Sequence, residues 1–171
     1  MRILVTGGAG YIGSVVTEYL LAGAHEVVVV DDLSTGHRDA VSPLAFLVTG
    51  GCGAPGKLDE AFGTKSIDCV VHLAGRSLVP ESVAHPDLYE EANVRQGEVL
   101  LDAMRKHGVT DIVFSSTAAV YDASAPMPLV ESAPLRPSNP YGETKLRFEQ
   151  ILEQRAARGE LRFISLRYFN V

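Results

Sequence analysis

The apolar positions of this chain fall into short runs that do not alternate with polar residues. A strand buried on one face shows alternation, whereas parallel strands covered on both faces read as near-continuous apolar runs. The runs therefore predict buried parallel strands. They lie at residues 3–5, 27–30, 44–48, 69–73, 112–114 and 163–166.

The segments between these runs carry apolar residues at spacings of three and four, the period of a helix with one buried face. In residues 86–107, Pro86 suits the first helical turn and Gly108 suits the end. The same pattern, closed by a glycine, occurs in residues 11–22 and 141–158. Strand and helix thus alternate along the chain, which predicts a doubly wound α/β sheet with right-handed crossovers.

A glycine-rich turn follows the first predicted strand and opens the first predicted helix. Gly7, Gly10 and Gly13 allow a tight turn and let the backbone approach a pyrophosphate, while the helix N-terminus supplies N–H donors. Asp31 closes the second predicted strand, where a carboxylate accepts hydrogen bonds from the ribose hydroxyls of an adenosine. A 2′-phosphate would meet Asp31 and Asp32 with like charge. The pattern predicts a Rossmann dinucleotide site that prefers NAD to NADP.

A second glycine pattern, at Gly51, Gly53 and Gly56, has the same spacing in a different context. Pro55 removes a backbone donor, only a short helical pattern follows, and the next predicted strand is followed by Gly75 rather than by an acid. We therefore expect an ordinary turn here rather than a phosphate-binding loop.

Candidate catalytic side chains lie around the end of the fifth predicted strand. Ser115 and Thr117 follow its carboxyl end, the edge where open α/β sheets bind ligands. Tyr141 and Lys145 lie one helical turn apart after a proline-rich loop at residues 123–140, so both project from one helix face. A tyrosine hydroxyl ordinarily has a pKa of about 10, and a nearby positive charge lowers that pKa. The phenolate that acts as the base is then more available near neutral pH. These residues predict a base, Tyr141, assisted by Lys145, with Thr117 sharing a hydrogen bond to a substrate hydroxyl.

Composition and charge narrow the classes of ligand and location. The 171 residues carry 15 basic and 21 acidic side chains, a net charge of -6, so the positive field of a nucleic-acid-binding protein is absent. Cys52 and Cys69 form neither a metal-ligand spacing nor a disulfide framework, which favours a reduced, cytoplasmic setting. No apolar stretch approaches the length of about 20 residues that a transmembrane helix needs. We therefore expect no nucleic-acid, membrane or metal partner.

Longer motifs give these residues a family resemblance. The stretches are GGAGYIGS at 7–14, DDLSTGHR at 31–38, VVHLAG at 70–75, FSSTAAVY at 114–121, VESAPLRPSNPYGETK at 130–145 and SLRYFNV at 165–171. Together they cover nearly the whole chain and resemble the extended short-chain dehydrogenase/reductase family of NAD-dependent epimerases and dehydratases. Within that family they most closely resemble the sugar-nucleotide 4-epimerases that interconvert UDP-glucose and UDP-galactose.

The resemblance implies a reaction at the sugar 4-hydroxyl of a UDP-sugar. Hydride transfer to tightly held NAD would give a 4-keto sugar, which rotates and takes the hydride back on its other face. Tyr141 would be the base, Lys145 would bind the nicotinamide ribose, and Thr117 would take the family's serine or threonine position. Asn170 would contact the nucleotide diphosphate. The two alanines after Thr117 stand where 4,6-dehydratases have an acid and a base, which favours epimerisation over dehydration.

Matching positions imply further cofactor contacts and an assembly. The helices that correspond to residues 86–107 and 141–158 pair two chains in relatives, which implies a homodimer. Besides Gly7, Gly10, Gly13, Asp31, Tyr141 and Lys145, the implied cofactor contacts are Tyr11, Ile12, Leu33, Ser34, Leu73, Ala74, Gly75, Asn93, Ser115 and Tyr168.

This chain departs from the family pattern at several places. The family has a Gly-Asp pair after the third strand, whose Asp holds adenine, where this chain has Gly50 and Gly51. The family's Asn-Val-x-Gly-Thr motif is represented by Asn93, Val94, Arg95, Gln96 and Gly97.

The sequence leaves three functions open. It stops directly after the sixth predicted strand, whereas family members continue into a C-terminal substrate domain. We therefore expect residues 1–171 to be an NAD-binding Rossmann domain that is incomplete at its C-terminus. Such a chain is an NAD-dependent 4-epimerase or its cofactor-binding part, a truncated module that binds NAD without turnover, or another sugar-nucleotide dehydrogenase or reductase on the same scaffold.

Overall fold

Each predicted apolar run overlaps a strand of one parallel sheet. The computed structural model describes residues 1–64 and 66–169. Its strands are β1 (Arg2–Thr6), β2 (Glu26–Asp31), β3 (Phe46–Thr49), β4 (Cys69–His72), β5 (Asp111–Thr117) and β6 (Arg162–Tyr168). Within the described residues these strands are all parallel, in the order β3-β2-β1-β4-β5-β6. The prediction of a doubly wound α/β sheet is confirmed.

The predicted helices are present, with one interruption and one addition. The helices are α1 (Tyr11–Ala22), α2 (Lys57–Gly63), α3 (Val79–Ala84), α4 (Pro86–Glu90), α5 (Gln96–Lys106) and α6 (Pro140–Ala157), with 3₁₀ turns at Arg38–Ala40 and Ala118–Val120. A π-helical turn at Glu91–Arg95 joins α4 to α5, so the helix predicted over 86–107 is not α-helical throughout. The sequence did not predict α3. Among the helices of the described residues, none is both long and apolar enough to cross a bilayer.

Alternate residues of the central strands supply two apolar cores. Leu4 of β1 belongs to the larger core, which α5 and α6 cover with Leu100 and Phe148. Its neighbour Val5 belongs to the smaller core on the opposite face, where α1 contributes Leu20. Successive strand residues point to opposite faces, so a strand covered on both faces is apolar at every position. This two-sided burial accounts for the continuous apolar runs in the sequence.

The strands β3 and β6 are exceptions, because each lies at an edge and pairs on one side only within the described sheet. Leu44 is 80% exposed and Phe46 is 51% exposed, so the prediction of two-sided burial for residues 44–48 is wrong at these positions.

In β6 the exposed apolar residues share one face. Phe163 packs against the larger core. Ile164 is 60% exposed and Leu166 is 38% exposed on the other face. The prediction of two-sided burial for residues 163–166 is therefore wrong for the face that carries Ile164 and Leu166, since no described element covers it.

The strand order creates a crevice at the carboxyl edge of the sheet. From β1 the chain winds outward to β2 and β3, whereas from β4 it winds the other way to β5 and β6. The loops after β1 and β4 therefore separate, and ligands of open α/β sheets bind at such a point. The predicted proline-rich loop follows β5 at the same edge and is pinned by an antiparallel bridge between Tyr121 and Leu135.

We predict that the larger core carries much of the stability. Leu100→Ala should lower the free energy of unfolding by about 2–5 kcal/mol, because it leaves a cavity where a fully buried side chain packs. Leu44→Ala is a matched control, since Leu44 is 80% exposed and its loss should cost about 0.5 kcal/mol or less. Urea unfolding measures both, and equal losses would contradict this description of the core.

Candidate functional site

The turn between β1 and α1 contains glycines that a side chain could not replace without moving the backbone. Gly7 has a φ of +73°, and a Cβ on it would lie 2.6 Å from the backbone N of Ala74, just after β4. A Cβ on Gly13 would lie 2.0 Å from the backbone O of Gly7. The predicted tight turn is therefore present, held closely between α1 and the end of β4.

The start of α1 presents backbone donors to the crevice. Gly10 precedes the helix and provides no side-chain cap. A Cβ on Gly10 would meet only the backbone O of Gly7 within 4 Å, at 3.4 Å. The first N–H groups of a helix have no intrahelical partner and attract anions. This open cradle fits the pyrophosphate of a dinucleotide.

The carboxylates after β2 fix the loop beside this cradle. Asp31 is buried, and its Oδ2 accepts a hydrogen bond from the Ala9 N–H at 2.9 Å. Its Oδ1 accepts one from the Leu33 N–H at 2.8 Å. The Oδ1 of Asp32 accepts from the Ser34 N–H at 2.9 Å. A carboxylate oxygen has two lone pairs, so Asp31 can hold the loop and still accept a hydrogen bond from a ligand hydroxyl.

A cavity of about 300 Å³ lies along these groups at the carboxyl ends of β1, β2 and β3. It is bounded by Asp31 and Asp32 on one side and by the start of α5 on the other. Its lining includes the sequence-predicted residues Gly7, Gly10, Asp31, Ser34, Leu73, Ala74 and Gly75.

A second cavity, of about 590 Å³, lies beyond the end of β5. Leu73 and Gly75 line both cavities, so the two adjoin along the loop after β4. The lining of the second cavity includes the sequence-predicted residues Ile12, Leu73, Gly75, Ser115, Thr117, Tyr141, Lys145 and Tyr168. The structure thus brings the predicted base, its lysine and the strand-end hydroxyls together.

Among the described residues, four that the sequence predicted line neither cavity: Tyr11, Gly13, Leu33 and Asn93. Gly13 packs on Gly7 rather than lining a cavity, and Tyr11 is 77% exposed. Leu33 lines neither cavity, and its backbone N–H bonds Asp31. Asn170, the predicted diphosphate contact, lies outside the described residues.

Lys145 is buried behind the second cavity with its ammonium in a defined position. Its Nζ donates a hydrogen bond to the Ser115 backbone O at 3.0 Å and lies 5.0 Å from the centre of the Phe114 ring. A Cβ on Gly75 would lie 3.4 Å from Nζ, so the loop after β4 passes close to it. Burial lowers the pKa of Lys145 to about 8 because the charged form loses hydration. The lysine still carries its proton at neutral pH.

The start of α6 is locked against the end of β5. Asn139 caps the helix by accepting from the Gly142 N–H at 2.9 Å, and Pro140 occupies its first turn. A Cβ on Gly142 would lie 2.5 Å from the backbone O of Ala119, so glycine permits this close approach. Tyr141 therefore enters the helix directly beside the turn that follows Thr117.

Asn93 holds the loop after β4 rather than lining a cavity. Its Oδ1 accepts from the Arg76 N–H at 2.7 Å, and its Nδ2 donates to the Arg76 O at 3.0 Å. Nδ2 also donates to the Thr144 Oγ1 at 3.1 Å. Asn93 is buried within the π-helical turn, and such turns occur frequently at functional sites. Its side chain thus ties α6 to the loop that both cavities share.

Sequence reasoning missed a buried polar group behind Thr117. The Ser116 hydroxyl donates a short hydrogen bond to Oε1 of Glu149, a buried residue of α6. Arg167 of β6 donates to Oε2 of the same carboxylate at 2.7 Å and to the Tyr121 hydroxyl at 3.0 Å. A buried carboxylate needs such partners. The sequence shows a glutamate on the buried face of α6, but it does not show that its partner is Arg167 on β6.

His72, at the end of β4, was also missed as part of the site. It lines the first cavity, and its Nδ1 lies 2.7 Å from the Thr6 Oγ1. Burial lowers the pKa of His72 to about 3, with a smaller contribution from the positive charge of Lys145. The imidazole is therefore neutral at physiological pH and adds no charge between the two cavities.

Comparison with known proteins assigns a family to this geometry. The sequence model of the NAD dependent epimerase/dehydratase family matches residues 3–171. The chain belongs to this family. It is 46% identical over 171 residues to the UDP-glucose 4-epimerases of Corynebacterium glutamicum and Lacticaseibacillus casei. These matches cover 100% of this chain but 51% and 52% of those relatives, so the chain spans about half their length.

Solved structures of the family have the same fold. The UDP-glucose 4-epimerase from Brucella ovis in complex with NAD matches 99% of this chain and 52% of its own, with a TM-score of 0.95 and 38% identity. The enzyme from Bifidobacterium longum in complex with NAD+ and UDP matches 99% of this chain and 53% of its own, with a TM-score of 0.94 and 35% identity.

The buried ammonium predicts a specific dependence of stability on pH. In the folded chain Lys145 releases its proton near pH 8, whereas an unfolded lysine releases it at about pH 10.4. Between those values the unfolded state binds more protons than the folded state. The free-energy cost of burying the charged Lys145 ammonium therefore decreases as the pH rises. The unfolding free energy of the wild type relative to Lys145→Met should therefore rise from pH 8 to pH 10, by up to about 1.4 kcal/mol per pH unit.

Urea unfolding of both proteins at pH 7, 8, 9 and 10 checks this expectation. Taking the difference between them removes the titration of all the other groups, including the buried thiol of Cys52. A difference that stays constant from pH 7 to pH 10 would contradict the assignment of a desolvated ammonium to Lys145.

Proposed function

We infer that residues 1–171 form the NAD-binding domain of an NAD-dependent sugar-nucleotide 4-epimerase of the UDP-glucose/UDP-galactose type. The observation that carries this inference is one cleft at the carboxyl edge of the sheet. A glycine cradle and Asp31 stand at one end, and Thr117, Tyr141 and Lys145 stand at the other. Bound there, NAD supplies the group that takes the hydride from C4 of the sugar and returns it.

The first cavity suits the adenosine half of NAD. The N–H groups at the start of α1 would bind the pyrophosphate next to Gly7 and Gly10, and Asp31 would accept hydrogen bonds from the adenosine ribose. Asp31 and Asp32 together oppose a 2′-phosphate. This part of the site therefore supports NAD in preference to NADP.

The second cavity suits proton transfer at a sugar hydroxyl. The Tyr141 phenolate would take the proton of the 4-hydroxyl as the C4 hydride leaves, and would return it when the hydride comes back to the other face. The Lys145 ammonium, one helical turn away, would stabilise the phenolate and bind the nicotinamide ribose. The Thr117 hydroxyl would share the hydrogen bond that positions the sugar oxygen.

The relatives support the choice of substrate and assembly. The relatives reported above are UDP-glucose 4-epimerases, and the structure from Bifidobacterium longum contains UDP. Asn170 stays a prediction for the diphosphate contact. A homodimer through α4, α5 and α6 is supported by Leu88 and Val99, apolar residues that are exposed on two of these helices. The free thiols of Cys52 and Cys69 support a reducing, cytoplasmic location.

An NAD-binding module without turnover is the alternative, favoured by the fact that the chain spans about half the length of its relatives. A dehydrogenase or reductase acting on another sugar nucleotide uses the same cleft. The epimerase and the binding module differ in whether removing the Tyr141 hydroxyl lowers the rate at which UDP-glucose and UDP-galactose are interconverted.

We predict that Tyr141→Phe lowers the rate of interconversion of UDP-glucose and UDP-galactose by about 100-fold or more, because the general base is lost. The amount of bound NAD should stay the same, since the fold and the adenosine end are untouched. Chromatography of the sugar nucleotides after incubation measures the rate. Tyr19→Phe is the matched control, because Tyr19 is 78% exposed and distant from the cleft lining.

Three results are distinguishable. A slow Tyr141→Phe beside a fully active Tyr19→Phe supports the epimerase. A Tyr141→Phe variant that retains the wild-type rate would refute Tyr141 as the base. A wild-type chain that holds NAD but converts neither sugar nucleotide would favour the binding module.

A further inference from the structure

The far end of the first cavity is open where Gly51 follows β3. A Cβ on Gly51 would make only ordinary contacts, at 3.6 Å from both the Asp32 Oδ2 and the Gln96 Oε1. The carboxylate of Asp32 and the carboxamide of Gln96 therefore lie on either side of the space that a residue 51 side chain would occupy. Both residues line the cavity.

Gln96 reaches this space because a second glycine makes room for it. It is the first residue of α5, directly after the π-helical turn. A Cβ on Gly53 would lie 3.1 Å from the Gln96 Cγ, which is tighter than ordinary contact. The turn over residues 51–53 thus lets the Gln96 side chain extend across it toward the cavity.

The carboxamide has hydrogen-bonding capacity that the protein does not use. Over the part of the chain that the structure describes, the Gln96 amide group has no hydrogen-bond partner. The same lining includes the carboxylates of Asp31 and Asp32, which only accept hydrogen bonds when ionised, and the hydroxyls of Ser34 and Thr35. Gln96 carries a donor and an acceptor side by side on one planar amide group.

The walls around the carboxamide suit a flat aromatic ring. Val30, Leu88 and Ala92 contribute apolar surface to the same cavity. The edge of adenine presents an amino donor next to a ring-nitrogen acceptor, and glutamine pairs with such an edge through two hydrogen bonds. The ribose attached to that base would lie toward Asp31, as the proposed function requires.

We propose that the Gln96 carboxamide recognises the adenine of the dinucleotide across the space left by Gly51. This inference rests on the proposed NAD site. Gly51 has no side chain to fill this space, so the carboxamide from α5 borders it directly.

This assignment has a consequence for base selectivity. A carboxamide can rotate by 180° and present its amino group to O6 and its oxygen to N1–H of hypoxanthine, so it pairs with either base. A carboxylate only accepts hydrogen bonds, so it can pair with the donor of either base but is repelled by the acceptor beside that donor, a ring nitrogen in adenine and O6 in hypoxanthine. The wild type should therefore bind NAD and nicotinamide hypoxanthine dinucleotide with affinities within about threefold of each other.

Titration calorimetry of the chain with both dinucleotides, after any co-purified nucleotide has been removed, tests the proposal without any assay of turnover. Gln96→Ala should weaken NAD binding by about tenfold, which corresponds to the loss of paired hydrogen bonds. Gln96→Glu, which keeps the length of the side chain but loses the donor, should weaken the binding of both dinucleotides by about tenfold. Gln154→Ala, exposed on α6, is the control and should change neither value. All variants are first compared with the wild type by thermal unfolding.

The outcomes separate this inference from the proposed function. If Gln96→Ala or Gln96→Glu binds NAD within twofold of the wild type, the Gln96 assignment is wrong while the NAD site stands. If the wild type binds neither dinucleotide, the proposed function fails for this chain and the assignment fails with it.

Discussion

The cleft depends on one steric constraint, the close approach of the β1–α1 turn to the end of β4. Gly7 makes it possible, because its positive φ and missing Cβ leave room for the backbone of Ala74. The turn therefore fits where the two halves of the sheet diverge and directs the first N–H groups of α1 into the crevice. The loop after β4 lines both cavities, which joins the end that carries Asp31 to the end that carries Tyr141 and Lys145.

The two ends of the cleft differ in charge. Asp31 and Lys145 are both buried, so water screens their charges less than it would at the surface. Asp31 and Asp32 make one end a set of acceptors, which matches ribose hydroxyls and opposes a phosphate. At the other end Lys145 is held by Ser115 with few neighbouring charges to compete for it. His72 stays neutral between the ends. A charge removed from water acts more strongly on its neighbours, so the Lys145 ammonium is the group that the proposed reaction would use at this end.

Much of this arrangement could be predicted from the sequence, because its determinants are local. Buried strands read as apolar runs, and Gly7 and Tyr141 stand at fixed positions relative to a strand end or a helix start. The contacts that depend on distant segments could not be predicted. Asn93 bonds the loop after β4 from within a π-helical turn, and Glu149 pairs with Arg167 on another element. The exposed face of β6 was mispredicted because an apolar run in the sequence shows which residues a strand contains but not which elements cover it.

The most direct test of this account is the nicotinamide content of the purified chain. The dinucleotide is released with acid, separated by chromatography and quantified against the protein concentration, before and after incubation with added NAD. The account predicts close to one NAD per chain, because the cradle, Asp31 and Lys145 are all formed within the described residues. A chain that carries no NAD and takes up none when it is added would contradict the central claim that this cleft is a dinucleotide site.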